Sequence, residues 1–202
     1  MPAGSLTQRV RSCAGLLGTR RRNARILVIG LGNLLLRDDG VGVHAIRRLM
    51  GQESPGCQYV EVGTAVLDAL HLLEEADKVL AIDALQAGGT PGTVYAARLS
   101  DIAAPISQAS LHELNLLAAL PLLRRQPEIF VLGVEPAVIE FGLSLSAHAE
   151  AAVPVVMAQV ERMVSDWRKP WRLVHNSRHG TTPDRSPAGE GRKRTPWRRL
   201  QA

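Results

Sequence analysis

The segment that most constrains this chain is Ile26-Leu-Val-Ile-Gly-Leu-Gly, where four large apolar residues in a row stop at a glycine turn. A run that is apolar on both sides of its pleat needs cover on both faces, as strands of parallel sheets have. Helical spacing begins one loop later, through Val41, Ala45, Ile46 and Leu49. The same alternation recurs downstream. Residues 58–62 read as a second strand, 65–73 as a helix, and 79–82 as a third strand ending at Asp83. A Gly/Pro turn over 87–92 leads to a fourth strand over 93–99, suited to a sheet edge. A helix over 111–123, a fifth strand over 129–134 and a long closing helix over 147–167 complete the pattern. The expected fold is α/β: a three-layer α/β/α sandwich around a mostly parallel, roughly five-stranded twisted sheet. Ligands of such sheets sit beyond the C-terminal ends of the strands. The loops after the first three strands, and the helix start near 111, are where a site is expected.

The two ends differ from this middle. Of 24 basic and 19 acidic residues, residues 1–25 hold six and none, and residues 169–202 hold nine and two. Residues 26–168 therefore carry nine basic and 17 acidic side chains, a net charge of −8 inside a chain whose total is +5. The organisation expected is a basic extension over 1–25, one α/β domain over 26–168, and a basic, Pro/Gly-rich disordered tail over 169–202. Basic tails can bind nucleic acid or an acidic partner, but their ordinary reading is a solvated tail, and nucleic acid is not the expected partner. The two cysteines, Cys13 and Cys57, form no CxxC pair, which disfavours a disulfide framework and a cysteine-rich zinc site. No apolar run approaches the ~20 residues of a membrane span, and a cytoplasmic location is expected.

The first loop reads Gly30-Leu-Gly-Asn-Leu-Leu-Leu-Arg-Asp-Asp-Gly-Val-Gly. A dinucleotide fingerprint would need glycine at position 35, which is leucine, and a tighter turn. The loop instead sets Asp38 and Asp39 at a helix start. Asp38 there makes a good N-cap and Asp39 suits the helix dipole, so both have an ordinary structural reading as well. Glu61 has opposite parity to Val60 and Val62 at the end of the second strand. It is either an exposed strand-end carboxylate or a buried one that needs a cation. Ser110 and Glu113 match a capping box, which puts His112 in the first helical turn, where the dipole favours neutral imidazole. Asp39, Glu61 and His112 thus offer two oxygens and one nitrogen at one sheet edge, a set suited to nickel or zinc. His44, His71 and His148 lack comparable placement and are read as structural.

The first-loop segment resembles the opening signature of the hydrogenase maturation proteases. The likeness continues through Glu61-Val-Gly-Thr64, Ile82-Asp83-Ala84, Gly89-Thr-Pro-Gly92, Ser110-Leu-His112 and Gly133-Val-Glu-Pro136, covering about residues 26–165. It implies a metal-dependent, aspartic-type endopeptidase that removes the C-terminal extension of the nickel-loaded large-subunit precursor of a nickel–iron hydrogenase. The same ligands would also serve a non-catalytic nickel-sensing chaperone for that precursor. By resemblance, the metal contacts are Asp39, Glu61 and His112. Asp39, Asp38 and Asp83 are the catalytic candidates, and Asn33, Gly32, Gly63 and Thr64 support the site. The metal implied is nickel carried by the substrate, with zinc or cadmium able to substitute in vitro. Where the family often has Glu then Asp at the two acidic positions, this chain has Asp39 then Glu61.

Overall fold

The structure is a computed structural model that describes residues 24–51, 56–102, 116–169 and 198–200. Strand β1 (Ile26–Leu31) is buried along its whole length. It leads through a 3-10 turn (Arg37–Gly40) into α1 (Val41–Leu49). Then come β2 (Cys57–Gly63), a 3-10 turn (Val66–Ala69), α2 (Leu70–Glu75) and β3 (Lys78–Ala84). After these follow β4 (Val94–Arg98), a short α3 (Leu99–Ile102) and α4, described over residues 116–119. The chain continues through a 3-10 turn (Leu120–Leu122), β5 (Glu128–Val134), the long α5 (Ala147–Arg168) and a two-residue β6 (Arg198–Arg199).

The sheet order is β2-β1-β3-β5-β4-β6. β2, β1, β3 and β5 run parallel, while β4 is antiparallel to β5 and β6 to β4. The expected α/β sandwich is therefore present, with five longer strands and the small β6. Arg198 and Arg199 belong to the segment read as a tail, yet they pair with β4, and Leu200 donates its N–H to the Val94 carbonyl at 2.9 Å. Residues 1–23 and 170–197 lie outside the described residues.

Strand parity divides the core in two. Val28, Leu80, Ile82 and Leu132 face one side, where α1 brings Ala45, Ile46 and Leu49 and α5 brings Val153, Val156 and Val160. Leu27, Ile29, Val79, Ala81 and Val131 face the other, against Leu73 of α2 and Leu116 and Ala119 of α4. A single-residue slip would exchange these two sets, so the register is strongly specified. α5 starts at Ser146, whose hydroxyl accepts the Ala149 N–H at 3.2 Å as an N-cap. Its apolar stripe at Ala149, Ala152, Val153, Val156, Val160 and Val164 follows helical spacing and seals the first face. Among the described residues, no helix is long and apolar enough to cross a membrane.

α1 sits unusually close to the sheet. A Cβ at Gly42 would lie 2.1 Å from the Ile82 carbonyl oxygen and 2.4 Å from that of Leu31, and one at Gly30 would lie 2.4 Å from the Gly42 oxygen. This backbone-to-backbone approach fixes where α1, and hence the loop before it, stands over the ends of β1 and β3.

Candidate functional site

The loop after β1 is built from nested turns. Asn33 Oδ1 accepts the Leu35 N–H at 3.0 Å, and the Asn33 carbonyl accepts the Leu36 N–H at 3.0 Å. Asn33 thus orders the turn with its side chain, as an Asx turn does. Asp39 Oδ2 in turn accepts the Asn33 N–H at 2.9 Å, which holds a half-buried carboxylate over the end of β1. Gly32, at φ +117°, makes the fold-back possible, because a Cβ there would lie 1.9 Å from the Asp39 carbonyl oxygen. Gly32 also donates to the Gly63 carbonyl at 3.2 Å, tying the ends of β1 and β2 together. Gly63 itself adopts φ +59°, and the exposed Thr64 follows it. The glycines of this loop therefore serve close backbone packing.

Asp38 has a different role from the N-cap expected of it. Neither the 3-10 turn nor α1 has a side-chain cap; their N-cap positions are Leu36 and Gly40. The Asp38 carboxylate is 1 % exposed and turns toward the β5–α5 loop. Oδ1 accepts the Ser146 N–H at 2.6 Å. Oδ2 accepts the N–H groups of Ala137 and Val138 at 2.9 and 3.1 Å and the Ser146 hydroxyl at 2.7 Å. Burial raises its pKa, but the Ser146 bonds, followed by those from Ala137 and Val138, outweigh burial and leave the group below its ordinary value. A depressed folded pKa stabilises the fold above the unfolded pKa of about 3.9 and is lost as pH falls through the folded value. Asp38→Asn presents an amide N–H₂ to backbone donors in either flip. It is expected to cost about 2–3 kcal/mol, or about 5–10 °C in Tm, and to remove the associated loss of stability below about pH 4. Thermal unfolding from pH 3 to 7 measures both.

Glu61 stands near the C-terminal end of β2, in register with Gly30 of β1. Of the two readings open for it, the exposed one holds. Its side chain is 36 % exposed and forms a two-pronged ion pair with Arg47 of α1, both contacts at 2.7 Å. The Arg47 hydrogen bonds pull its pKa down, and burial opposes them. Its parity sets it on the Tyr59 side, under α1, while Val60 and Val62 pack on the α2 side.

Asp83 closes β3, fully buried, with Oδ1 accepting the Ala84 N–H at 2.8 Å. His44, read as structural, lies half-buried between these elements. Burial, then the charges of Arg47 and Arg48, lower its pKa. Glu135, in the sequence a member of the Gly133-Val-Glu-Pro136 motif with no role of its own, is 6 % exposed and holds the β3–β4 loop. Its carboxylate accepts the Ala87 and Gly88 N–H groups at 3.0 and 3.1 Å. An acidic residue directly after an apolar strand and before Pro136 was the available signal.

Asp39 and Glu61 are thus brought to the same end of two adjacent parallel strands. His112, with Ser110 and Glu113, lies outside the described residues. Among the described residues, no group of three His, Cys, Asp or Glu side chains is placed to hold a metal ion. The two carboxylates fit a divalent ion chemically, and His112 would be needed to complete three donors.

Comparison with known proteins places the chain as a whole. Residues 43–163 match the family described as hydrogenase maturation protease. The chain is 30% identical over 152 residues to the hydrogenase expression/formation protein HupD of Rhodobacter capsulatus, covering 71% of this chain and 72% of that one. It is 32% identical over 145 residues to the hydrogenase 2 maturation protease of Escherichia coli, covering 67% and 88%. The solved hydrogenase maturating endopeptidase HybD of E. coli superposes with a TM-score of 0.65 at 28% identity, over 70% of this chain and 93% of that one. The nickel–iron hydrogenase maturation protease HybD of Thermococcus kodakarensis superposes with a TM-score of 0.57 at 28% identity, over 69% and 99%. On these matches and this fold, the chain belongs to the hydrogenase maturation protease family.

Proposed function

We propose that this protein is an endopeptidase that removes the C-terminal extension of a nickel-loaded large-subunit precursor of a nickel–iron hydrogenase. The observation that carries the proposal is the family membership of a chain whose Asp39, over the end of β1, and Glu61, near the end of β2, lie at the same end of two adjacent parallel strands. In this reading nickel arrives with the substrate, and Asp39, Glu61 and His112 receive it. A bound divalent ion supplies Lewis acidity at a scissile carbonyl. The residues of the chain do the rest. Asn33 and Gly32 hold the Asp39 carboxylate in place. Asp38 locks the site loop to the β5–α5 loop. Asp83 lies buried beside them, a candidate for proton transfer. The net charge of −8 over 26–168 supports attraction of a cation.

Arg47 bears on this directly, because its guanidinium occupies both oxygens of Glu61. A cation binding Glu61 must displace it. Arg47→Ala is expected to leave Tm unchanged within about 2 °C, since exposed ion pairs contribute little. It is also expected to tighten nickel binding several-fold, as titration calorimetry would read. Unchanged affinity would remove Glu61 from the set of contacts.

The histidine assignment has its own test. His112→Ala is expected to abolish shortening of the precursor with circular dichroism unchanged, while His148→Ala keeps wild-type activity. Equal activity of the two variants would exclude His112 from the site.

A further inference from the structure

The loop over 138–143 exposes large apolar side chains beside the site. Phe141 is 81% exposed, Leu143 69% and Ile139 41%, and Leu35 of the site loop adds 50%. These residues are not on a loose excursion. Gly142 donates to the Leu35 carbonyl at 2.9 Å and accepts the Arg37 N–H at 2.9 Å, forming a parallel bridge between Leu36 and Gly142. Asp38 holds the start of the loop through Val138 and its end through Ser146. The Asp38 N–H adds a bond to the Val138 carbonyl at 3.3 Å. Arg37 takes φ +47° at this junction, a conformation a non-glycine residue keeps only where its surroundings fix it. Its stem lies against Gly142, and its guanidinium meets Glu140 at 2.9 Å. Gly142 faces the Arg37 stem, and the side chains of Phe141 and Leu143 on either side of it are both exposed.

A fixed loop that presents a phenylalanine and a leucine to solvent has the character of a docking anchor. Aromatic side chains already held in place lose little entropy on binding and dominate interface energetics. The patch is continuous with the site. Leu35 precedes Asp39 by four residues in one turn, and the patch loop hangs on Asp38. A protein whose C-terminal segment reaches Asp39 must lie across it. The acidic site alone is too small for specific recognition of a folded protein, for which about 800 Å² per partner is usual.

We propose that Leu35, Ile139, Phe141 and Leu143 form the docking surface for the folded body of the precursor, through an apolar patch on that protein adjacent to its C-terminal segment. This rests on the reading given under Proposed function. The test uses full-length protein and purified nickel-loaded precursor, with binding by biolayer interferometry measured separately from cleavage. Phe141→Ser/Leu143→Ser is expected to fold with unchanged Tm, to weaken precursor binding about tenfold or more, and to raise KM while kcat stays within about twofold. Leu122→Ser, at a 61%-exposed leucine beyond α4, is expected to behave as wild type.

Wild-type binding and KM in the double variant would overturn the docking surface and leave the protease reading standing. A wild-type protein that neither binds nor shortens the precursor would overturn both. Unchanged processing by the double variant, with loss of a homodimer in sedimentation, would reassign the patch to self-association and overturn the proposal. Should the double variant misfold, Phe141→Lys alone, a change at an exposed position, reads the same parameters.

Discussion

Asp39→Ala is expected to lower kcat/KM for precursor processing by at least about 100-fold, the loss typical when one preorganised charged contact is deleted from a site. The alanine removes two things: the charge over the end of β1 and the acceptor for the Asn33 N–H at 2.9 Å. Asp39→Asn separates them. Its carbonyl oxygen can still accept from Asn33, so the turn stays formed, while the charge is gone. Activity should fall nearly as far in Asp39→Asn as in alanine, with Tm close to wild type. In Asp39→Ala, Tm should drop by a few degrees as well, because the Asn33 N–H loses its partner. Both variants can be followed by mass spectrometry of the precursor beside thermal unfolding. Full activity of Asp39→Asn would show that the carboxylate acts only as a turn anchor.

Gly42→Ala carries the largest expected effect on stability. The added methyl would meet the Ile82 carbonyl oxygen at 2.1 Å and the Leu31 oxygen at 2.4 Å, both main-chain atoms of central strands. No rotamer change relieves that overlap, so α1 must lift from the sheet. Val43, Ala45, Ile46 and Leu49 are all fully buried and would be loosened together. Overpacking usually costs about 1–3 kcal/mol, and with main-chain atoms on both sides of the methyl the expected cost is at or above that upper figure. Substituting alanine for glycine in an exposed helix would instead stabilise by about 1 kcal/mol. The sign of the change therefore decides whether the close approach is real. A wild-type or raised Tm would contradict it. The site would suffer too, because α1 carries Arg47 and His44 and follows directly from the loop that holds Asp38 and Asp39.

Much of this architecture was legible from the sequence because its causes are local. Ile26 to Ile29 are apolar at both parities, and β1 is indeed covered on both faces. The closing helix expected over 147–167 is present as Ala147–Arg168, because its apolar stripe is a local pattern. The second helix was less legible. It begins as a 3-10 turn at Val66–Ala69 with no side-chain cap, and only Leu70–Glu75 is α-helical. β6 is two arginines long, too short for any periodicity, and its place depends on β4 far back in the chain.

The site was legible in its residues more than in its contacts. Asp38 looked like a helix cap because capping is a local habit of aspartate, yet its partners lie 99 to 108 residues away. Glu61 was ambiguous because parity alone says nothing about a guanidinium on a neighbouring helix. The Asn33 turn, by contrast, is local, since an Asx turn involves only the next two residues. The apolar patch had no sequence signature, because Leu35 and Phe141 become neighbours only through the Leu36–Gly142 bridge.

The most direct test of the account is to incubate the purified full-length protein with matched nickel-loaded and nickel-free large-subunit precursor and weigh the products by intact mass spectrometry. The account predicts loss of one C-terminal segment from the nickel-loaded precursor alone. A nickel-loaded precursor that a known maturation protease can shorten, but that this protein leaves at full mass, would contradict it.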